Sequence, residues 1–230
     1  MDFSGKNVVI TGGTGALGSA VVGLLIKSGA TCIVPYRRET EAQRFEYRDS
    51  ANVKLIAAGD LADEAAVAKL YADVPLWASI HIAGGFASGK VADTDKAALM
   101  AQIDGNLVSC FLCCRAAIKA MADNGGRIVN VAARPALEPR SGAGMTAYTI
   151  AKSGVATLTI ALAEEVAKDS VLVNAVAPSI MDTPANRKAM PKADYDTWPK
   201  VDDVAATILF LASPDNKVTR GAIVPVYGKA

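Results

Sequence analysis

The stretch Thr11–Gly18, TGGTGALG, constrains the fold of this chain more than any other feature. It follows the short apolar run NVVI and leads directly into a pattern typical of an amphipathic helix, Ala16–Lys27. A strand, a glycine-rich turn and a helix in this order form a pyrophosphate-binding turn, because backbone N–H groups and the helix dipole then face one point. Gly12 would permit the bend, Gly15 would let phosphate approach the backbone, and Gly18 would let the helix pack on the strand.

The spacing of these glycines leaves a second interpretation open. GxxGxxG differs from the GxGxxG of the common dinucleotide fingerprint, and no Lys followed by Ser or Thr comes after it, as a nucleoside triphosphatase loop requires. An ordinary glycine-rich turn between a strand and a helix has the same pattern. The choice therefore depends on the rest of the chain.

Apolar strand patterns alternate with helical patterns along the whole sequence. The predicted strands are 7–10, 31–34, 53–57, 77–82, 127–131, 171–176 and 222–226, and the predicted helices are 16–27, 39–48, one that begins after Asp63 as its N-cap, 96–121, 146–167 and 201–211. Repeated strand–helix units with nearly continuous apolar strands are typical of a parallel sheet that is covered on both faces. We expect one doubly wound α/β domain over residues 1–230, with a seven-stranded parallel sheet. Ligands bind such sheets beyond the carboxyl ends of the strands.

Composition and charge narrow the class of protein. Hydrophobic residues make up 51% of the chain, which is enough for a sizeable core. A net charge of +1 without a long charged run argues against nucleic acid and membrane surfaces as partners. The first residues, MDFSGK, lead straight into the first strand and do not resemble a signal peptide, and no uninterrupted apolar stretch is long enough to span a bilayer. We expect a cytoplasmic protein.

The four cysteines predict no metal site. Cys110, Cys113 and Cys114 share one helical pattern without a nearby histidine, and Cys32 lies in an apolar strand. A zinc site would need a second pair of ligands, which this pattern does not offer. We expect four reduced cysteines that behave as small apolar residues.

The second predicted strand ends in Tyr36-Arg37-Arg38, and this end would face the adenosine ribose of a dinucleotide. A carboxylate there binds the 2′-hydroxyl of NAD, whereas a guanidinium can pair with the 2′-phosphate of NADP. Tyr36 stands at the acidic position and Arg37 follows it, so the sequence favours NADP(H), with NAD(H) possible. Arginines at a solvated helix start would give the same pattern.

The third and fourth strands end in residues that suit a cofactor. Asp60 could accept a hydrogen bond from an adenine amino group, with Leu61 beside the ring, or it could cap a turn. Ala83 and Gly84 are small where the backbone would lie close to the cofactor. His81, the only histidine, lies in an apolar strand, where a structural role is favoured over a general base.

Tyr148 and Lys152 are four residues apart on a predicted helix and therefore share one face. A nearby ammonium favours tyrosinate, so we expect Lys152 to lower the pKa of Tyr148 from its usual ~10. Tyr148 is then a candidate general acid for a carbonyl or imine that receives hydride. YxxxK is a short motif, and its position after the fifth strand gives it weight.

In this combination and order, these motifs resemble the short-chain dehydrogenase/reductase family. The similarity covers essentially the whole chain and includes TGGTGALG, Asp60-Leu61, Ala83-Gly84, Asn106, the Tyr148/Lys152 pair and NAVAPSIMDT, residues 174–183. The resemblance implies a Rossmann sheet in which Tyr148 donates a proton, Lys152 holds the nicotinamide ribose and Asn106 supports a water relay. The cofactor-binding residues that it implies are Gly12, Thr14, Gly15, Leu17, Gly18, Arg37, Asp60, Leu61, Ala83, Gly84, Lys152, Pro178, Ile180 and Thr183.

The chain departs from the family pattern where a catalytic serine is expected. Asn130-Val131-Ala132-Ala133 replaces the usual Asn-x-Ser-Ser after the fifth strand, and Ser141, the nearest serine, is too far along the chain to assume its role. Losing one donor to a ketone oxygen can cost about 10²-fold or more in rate. Smaller departures are the TGxxGxxG glycine turn, His81-Ile82 in place of Asn-Asn, and Pro178-Ser179 in place of Pro-Gly.

One branch of the family, the dihydropteridine reductases, lacks this serine. Three stretches are similar to it: AGGFA from Ala83, GMTAY ending at Tyr148, and DTPANRKAMP from Asp182, followed by Trp198. The similarity implies reduction of a quinonoid dihydropterin, for which Tyr148 and Lys152 suffice. The NADPH preference indicated by Tyr36-Arg37 differs from that branch, which mostly uses NADH.

Three functions follow as hypotheses. The first is an NADP(H)-dependent reductase, with a generic carbonyl substrate slightly ahead of a pterin. The second is a dinucleotide sensor that has lost catalysis, and the third is a structural scaffold. Apolar helices at 96–121 and around Tyr148 favour a homodimer or homotetramer, and residues 184–200 resemble a substrate lid.

Overall fold

The computed structural model describes residues 1–121 and 124–230, and these form seven strands and nine α-helical segments. The strands are β1 (Asn7–Thr11), β2 (Thr31–Tyr36), β3 (Val53–Ala57), β4 (Leu76–His81), β5 (Gly126–Val131), β6 (Val171–Pro178) and β7 (Ile223–Val226). The helices are α1 (Ala16–Lys27), α2 (Glu39–Arg44), α3 (Glu64–Tyr71), α4 (Lys96–Ile103), α5 (Ser109–Met121), α6 (Arg134–Leu137), α7 (Thr146–Glu165), α8 (Pro184–Ala189) and α9 (Val201–Ala212). A π turn, Asp104–Val108, joins α4 to α5 without a break.

The seven strands form one parallel sheet in the order β3-β2-β1-β4-β5-β6-β7. The predicted doubly wound fold is thereby confirmed. The chain winds outwards from β1 in one direction and from β4 in the other, so a crevice opens between the carboxyl ends of these two strands.

Alternate residues of the central strands enter two separate cores, because successive strand side chains point to opposite faces. Val8 and Ile10 of β1 pack on one face with apolar residues of α1 and α9, such as Ile208. Val9 packs on the other face with apolar residues of α3, α5 and α7, such as Met121. Both faces of the sheet are therefore covered by helices, as the continuous apolar strands predict.

The continuous helix Lys96–Met121 is long and apolar enough to cross a membrane by length and composition alone, with 26 residues and a mean hydropathy of 1.4 in its most apolar window. Its apolar character has another explanation in the fold. α5 packs against β4 and β5, and α4 packs against α7. The segment is thus a covering helix of the sheet.

Most predicted elements are confirmed within a few residues, and the largest difference is at α2. The predicted helix 39–48 ends at Arg44, because the next residue, Phe45, turns into extended backbone (ψ 123°) and is buried in the core. The predicted N-cap Asp63 is confirmed: its side chain accepts hydrogen bonds from the N–H groups of Ala65 and Ala66.

Candidate active site

A cleft of about 780 Å³ lies at the carboxyl ends of the strands beside the crevice between β1 and β4. Its lining comes from the glycine turn after β1, the ends of β2 and β3, the loop after β4 and the π-turn region. The lining includes these residues named from the sequence: Gly12, Thr14, Gly15, Leu17, Gly18, Arg37, Asp60, Leu61, Ala83 and Gly84. The structure thus brings ten predicted cofactor-binding residues together in one cavity.

The glycine turn has no room for side chains at two of its positions. Gly12 has a φ of +70°, and a Cβ added there would lie 2.7 Å from the backbone nitrogen of Ala83. A Cβ on Gly18 would collide with the carbonyl oxygen of Gly12. Gly15 is the N-cap of α1, and no acidic residue occupies the first turn of that helix. The free N–H groups and the helix dipole at the cleft therefore fit the pyrophosphate of a dinucleotide.

The two arginines after β2 are held differently. Arg38 Nε donates to Glu41 Oε1 at 2.7 Å, so this guanidinium is already paired. Arg37 Nη2 lies 3.4 Å from Asp60 Oδ2 in an ion pair whose side chains are 69% and 53% exposed. Since an exposed pair of this length is weak, Arg37 is the guanidinium that can turn to a phosphate. Asp60 Oδ1 accepts a hydrogen bond from the N–H of Ala62 at 3.0 Å, which is the turn-capping alternative.

Asn106 lies in the π turn and fixes the loop after β4. Its Oδ1 accepts from the N–H of Gly85 at 3.2 Å, and its Nδ2 donates to the carbonyl oxygens of Gly85 and Gln102, each at 3.0 Å. A side chain on Gly84 would collide with Asn106 Oδ1, so glycine is required there. Asn106 therefore holds this glycine backbone against the helix at the floor of the cleft.

Tyr148 and Lys152 share a face of α7, as the spacing predicts, but Lys152 is bonded elsewhere. Its Nζ donates to the carbonyl oxygen of Val131 at 2.8 Å and lies 5.9 Å from the centre of the Tyr148 ring. Burial raises the pKa of Tyr148 to about 12 and lowers the pKa of Lys152 to about 8. The expectation that Lys152 lowers the pKa of Tyr148 is wrong for this structure, because desolvation dominates and the ammonium is held at β5.

An alanine stands where the family pattern has its serine, and Tyr148 has an aromatic neighbour. Ala133 is buried at the end of β5. The ring of Phe86 contacts the Tyr148 ring edge to face, with centroids 5.1 Å apart, and Phe86 remains 62% exposed. Ser141 does not replace the serine, because its Oγ is exposed and donates to the carbonyl oxygen of Glu138. The sequence similarity included Phe86 without predicting this contact, since nothing in the residue pattern places a loop residue over α7.

The residues named after β6 lie at the base of the segment 184–200. Pro178 is the last residue of β6 and pairs with Val226. Ile180 is exposed, and Thr183 is the N-cap of α8, with its Oγ1 accepting from the N–H of Asn186. Ile180 therefore lies at the surface, and Thr183 has a structural role as the cap of α8.

Asp182 ties both ends of this segment together. Its carboxylate accepts two hydrogen bonds from Arg187, at 2.6 and 2.8 Å, and one from Lys200 at 2.7 Å. These two cations hold the pKa of Asp182 well below its usual range. The sequence does not predict this Asp182 clamp, the two ion pairs of Asp182 with Arg187 and Lys200. Its only sign in the sequence is one acidic residue that is followed by cations five and 18 residues later.

His81 lies in a buried hydrogen-bond network, as expected for a structural histidine. Its Nε2 is 2.8 Å from Ser79 Oγ and its Nδ1 is 2.8 Å from Asn130 Oδ1. The expectation that no histidine lies near the cysteines is wrong, because α5 packs on β4 and brings Cys114 Sγ to 3.5 Å from His81 Nδ1.

Known proteins similar to this chain share its sequence pattern and its sheet. The family model for the short chain dehydrogenases matches residues 6–194. The chain belongs to the short-chain dehydrogenase/reductase family. Galactitol 2-dehydrogenase from Rhizobium johnstonii is 34% identical to it in an alignment of 242 positions that covers 97% of this chain and 94% of that relative. The resemblance inferred from the motifs is thereby confirmed, and with it membership of a family of oxidoreductases.

Two further similarities bear on cofactor and substrate. Dihydropteridine reductase from Dictyostelium discoideum is 28% identical in an alignment of 233 positions that covers 98% of this chain and 96% of that protein. The solved structure described as ElxO with NADP bound is 26% identical, superposes with a TM-score of 0.87 and covers 96% of each chain. A dihydropteridine reductase and an NADP complex are thus both found among the proteins that this chain resembles over almost its full length.

Proposed function

We propose that this protein is an NADP(H)-dependent oxidoreductase that transfers hydride between nicotinamide and a small carbonyl or imine-type substrate. The observation that carries the proposal is the position of Tyr148 and Lys152 beside the cleft. Lys152 Nζ lies 3.5 Å from the position of a Cβ on Gly84, and Gly84 lines the cleft. Phe86, two residues further along, contacts Tyr148.

The cofactor would lie along the row of strand ends, and when bound its nicotinamide supplies or accepts the hydride. The glycine turn would bind the pyrophosphate, Arg37 the 2′-phosphate, and Asp60 with Leu61 the adenine. The nicotinamide end would contact Ala83, Gly84, Lys152, Pro178, Ile180 and Thr183. The solved NADP complex that superposes over 96% of this chain supports NADP(H). NAD(H) is the alternative, because Arg37 is partly neutralised by Asp60.

Tyr148 would act as the proton donor. A pKa of about 12 means that its hydroxyl keeps its proton at neutral pH. Such a group donates only to a strong base, such as the anion that forms on the substrate when hydride arrives. Lys152 would orient the nicotinamide ribose and place positive charge near that anion, and Asn106 would hold the loop against which both lie.

A dihydropteridine-reductase-like activity is the second candidate, and Ala133 is the observation that favours it. A ketone oxygen would lack a hydroxyl donor at this buried position, whereas a conjugated ring that accepts hydride needs no such donor. The dihydropteridine reductase from Dictyostelium discoideum supports it. A generic carbonyl stays slightly ahead, because other relatives carry the names of dehydrogenases and reductases for very different substrates.

The deciding experiment measures NADPH and NADH oxidation by the pure protein with quinonoid dihydropterin and with a panel of aldehydes and ketones. Turnover of carbonyls supports the first candidate, and turnover of the pterin alone supports the second. Binding of NADPH without any turnover would replace both with a dinucleotide sensor. Failure to bind either cofactor would leave a structural scaffold.

The proposal also includes a substrate lid, an oligomeric state and a cellular location for this protein. Residues 184–200, closed at their base by Asp182, would cover the substrate. Phe111 on α5 and Ile150 and Ile160 on α7 are about half exposed, which favours pairing of copies through these helices into a homodimer or homotetramer in the cytoplasm. Light scattering of the pure protein measures the assembly.

A further inference from the structure

One histidine and two cysteines form a buried cluster where α5 covers β4 and β5. A ring nitrogen of His81 and the sulfur atoms of Cys110 and Cys114 all lie within 4.8 Å of one another. All three residues are buried, and none of them lines the cleft. Two thiolates and an imidazole bind zinc in preference to hard cations such as Mg²⁺ and Ca²⁺.

The amide oxygen of Asn130 completes a four-atom cage. It lies 2.8 Å from His81 Nδ1, 3.3 Å from Cys110 Sγ and 3.5 Å from Cys114 Sγ, and Cys114 Sγ is 3.5 Å from His81 Nδ1. Tetrahedral zinc with bonds of about 2.0–2.3 Å has ligands separated by about 3.3–3.8 Å. Three of these four separations fall in that range, and the short one needs to open by about 0.5 Å. The remaining two, from Cys110 Sγ to Cys114 Sγ and to a ring nitrogen of His81, are within 4.8 Å. We propose that these four atoms bind one Zn²⁺ ion.

The surroundings of the cage already orient its ligands. With Nδ1 of His81 on the metal, Nε2 carries the proton and donates to Ser79 Oγ at 2.8 Å, and Ser79 Oγ is 2.7 Å from the hydroxyl of Tyr71. Asn130 Nδ2 donates to Thr159 Oγ1 at 2.9 Å, which turns its oxygen towards the cysteines. Second partners of this kind fix the tautomer and the direction of metal ligands.

Hydrogen bonding without a metal satisfies this cluster less well. Three donors, His81 Nδ1 and the two thiols, converge on the single oxygen of Asn130, which has two lone pairs. A Zn²⁺ ion replaces this crowded arrangement, and two thiolates cancel its charge, so that no net charge is buried.

Cys113 provides a matched control on the same helix. It is buried like its neighbours but lies outside the cluster. Cys113→Ser therefore changes a buried cysteine of α5 without removing a proposed ligand.

The test measures metal in the full chain, without reference to activity. Protein expressed with added zinc and washed with a mild chelator should contain about one zinc per chain, both in the wild type and in Cys113→Ser. Cys110→Ser and Cys114→Ser should lose at least about tenfold in zinc occupancy. Wild-type protein stripped of metal and titrated with Co²⁺ should show thiolate-to-cobalt charge-transfer absorption that saturates at about one equivalent.

The cobalt spectrum of the wild type decides the matter even if a variant fails to fold. Absence of the charge-transfer absorption, together with zinc far below one per chain, overturns the proposal. Equal zinc in wild type, Cys110→Ser and Cys114→Ser overturns it as well, because the metal then binds elsewhere. A Cys110–Cys114 disulfide in metal-free protein prepared under air, with no metal uptake after reduction, would assign the thiols to redox chemistry instead.

Discussion

The side-chain nitrogen of Lys152 donates a hydrogen bond of 2.8 Å to the carbonyl oxygen of Val131. This bond ties α7 to the end of β5 and holds the ammonium beside the cleft, 5.9 Å from the centre of the Tyr148 ring. In the protein without cofactor, burial determines the pKa values of both side chains. It lowers the pKa of Lys152 to about 8 and raises that of Tyr148 to about 12.

Replacing Tyr148 with phenylalanine removes the proposed proton donor and little else. We expect Tyr148→Phe to change the NADPH dissociation constant by less than about twofold and to lower kcat by about 10²-fold or more. Fluorescence titration measures the first quantity and steady-state kinetics the second. Undiminished turnover would rule out Tyr148 as the acid.

The burial of Lys152 predicts a particular dependence of stability on pH. Below pH 8 the lysine is charged in the folded and unfolded chains, and the full cost of burying the ammonium is present. Between about 8 and 10.5 the folded chain releases the proton while the unfolded chain keeps it. The contribution of Lys152 to the free energy of unfolding therefore rises with pH, by up to about 3 kcal/mol.

Urea unfolding of wild type and Lys152→Met between pH 7 and 10.5, without cofactor, measures this contribution as a difference. Groups far from Lys152 titrate equally in both proteins and cancel, and Cys110→Ser in both backgrounds removes the one thiol whose charge is coupled to Lys152. The wild type should gain stability relative to the variant across this window, and parallel curves would contradict the burial of a titrating ammonium.

Arg37 should determine the preference for NADPH. Because a charge-assisted contact to phosphate contributes about 1.5–3 kcal/mol, Arg37→Ala should raise the KM for NADPH about tenfold or more and leave that for NADH nearly unchanged. Arg38→Ala is the control, since Arg38 is paired with Glu41. Equal effects of the two substitutions would mean that general positive charge attracts the cofactor.

Ala133 offers a gain-of-function test of the substrate class. Ala133→Ser restores the hydroxyl expected by the family and should raise kcat/KM for ketones about tenfold or more, since it adds a donor to the developing oxyanion. Turnover of quinonoid dihydropterin should stay within about twofold, because hydride transfer to a conjugated ring does not use that donor. Ketone rates that do not respond would place the substrate oxygen away from residue 133.

Asp182 should control the exposure of the segment 184–200. Asp182→Asn weakens the contacts with Arg187 and Lys200, whose side chains are half exposed while that of Asp182 is 9% exposed. We expect trypsin cleavage within the segment to accelerate about threefold or more. Asp196→Asn is the control, because Asp196 is exposed on the same segment and outside the clamp. Similar cleavage rates in the two variants would show that the clamp does not restrain the segment.

The sequence predicts the fold because its information is local. Most strands are nearly continuous apolar runs, they alternate with helical patterns, and this order predicts a parallel sheet with ligands at the strand ends. The glycines also predict local structure correctly: a Cβ on Gly12 or Gly18 would collide with backbone atoms. Ten of the predicted cofactor residues accordingly line one cleft.

The features that the sequence does not predict are contacts between residues that are far apart in the chain. The spacing of Tyr148 and Lys152 places them on one face, but only the packed structure shows that the carbonyl oxygen of Val131 takes the ammonium. Likewise, His81 and Cys114 are 33 residues apart and meet only because α5 lies across β4. Neither contact can be predicted from hydrophobic periodicity or from composition.

The π turn Asp104–Val108 links two regions that otherwise look independent. It holds one residue more than an α-helical turn, so the helix beyond it is rotated by about 100° relative to an uninterrupted helix. Asn106, within the turn, faces the glycine loop, and Cys110 and Cys114, just beyond it, face His81. Loss of one residue here would turn the cysteines away and disturb the cleft together, so both regions depend on the length of this turn.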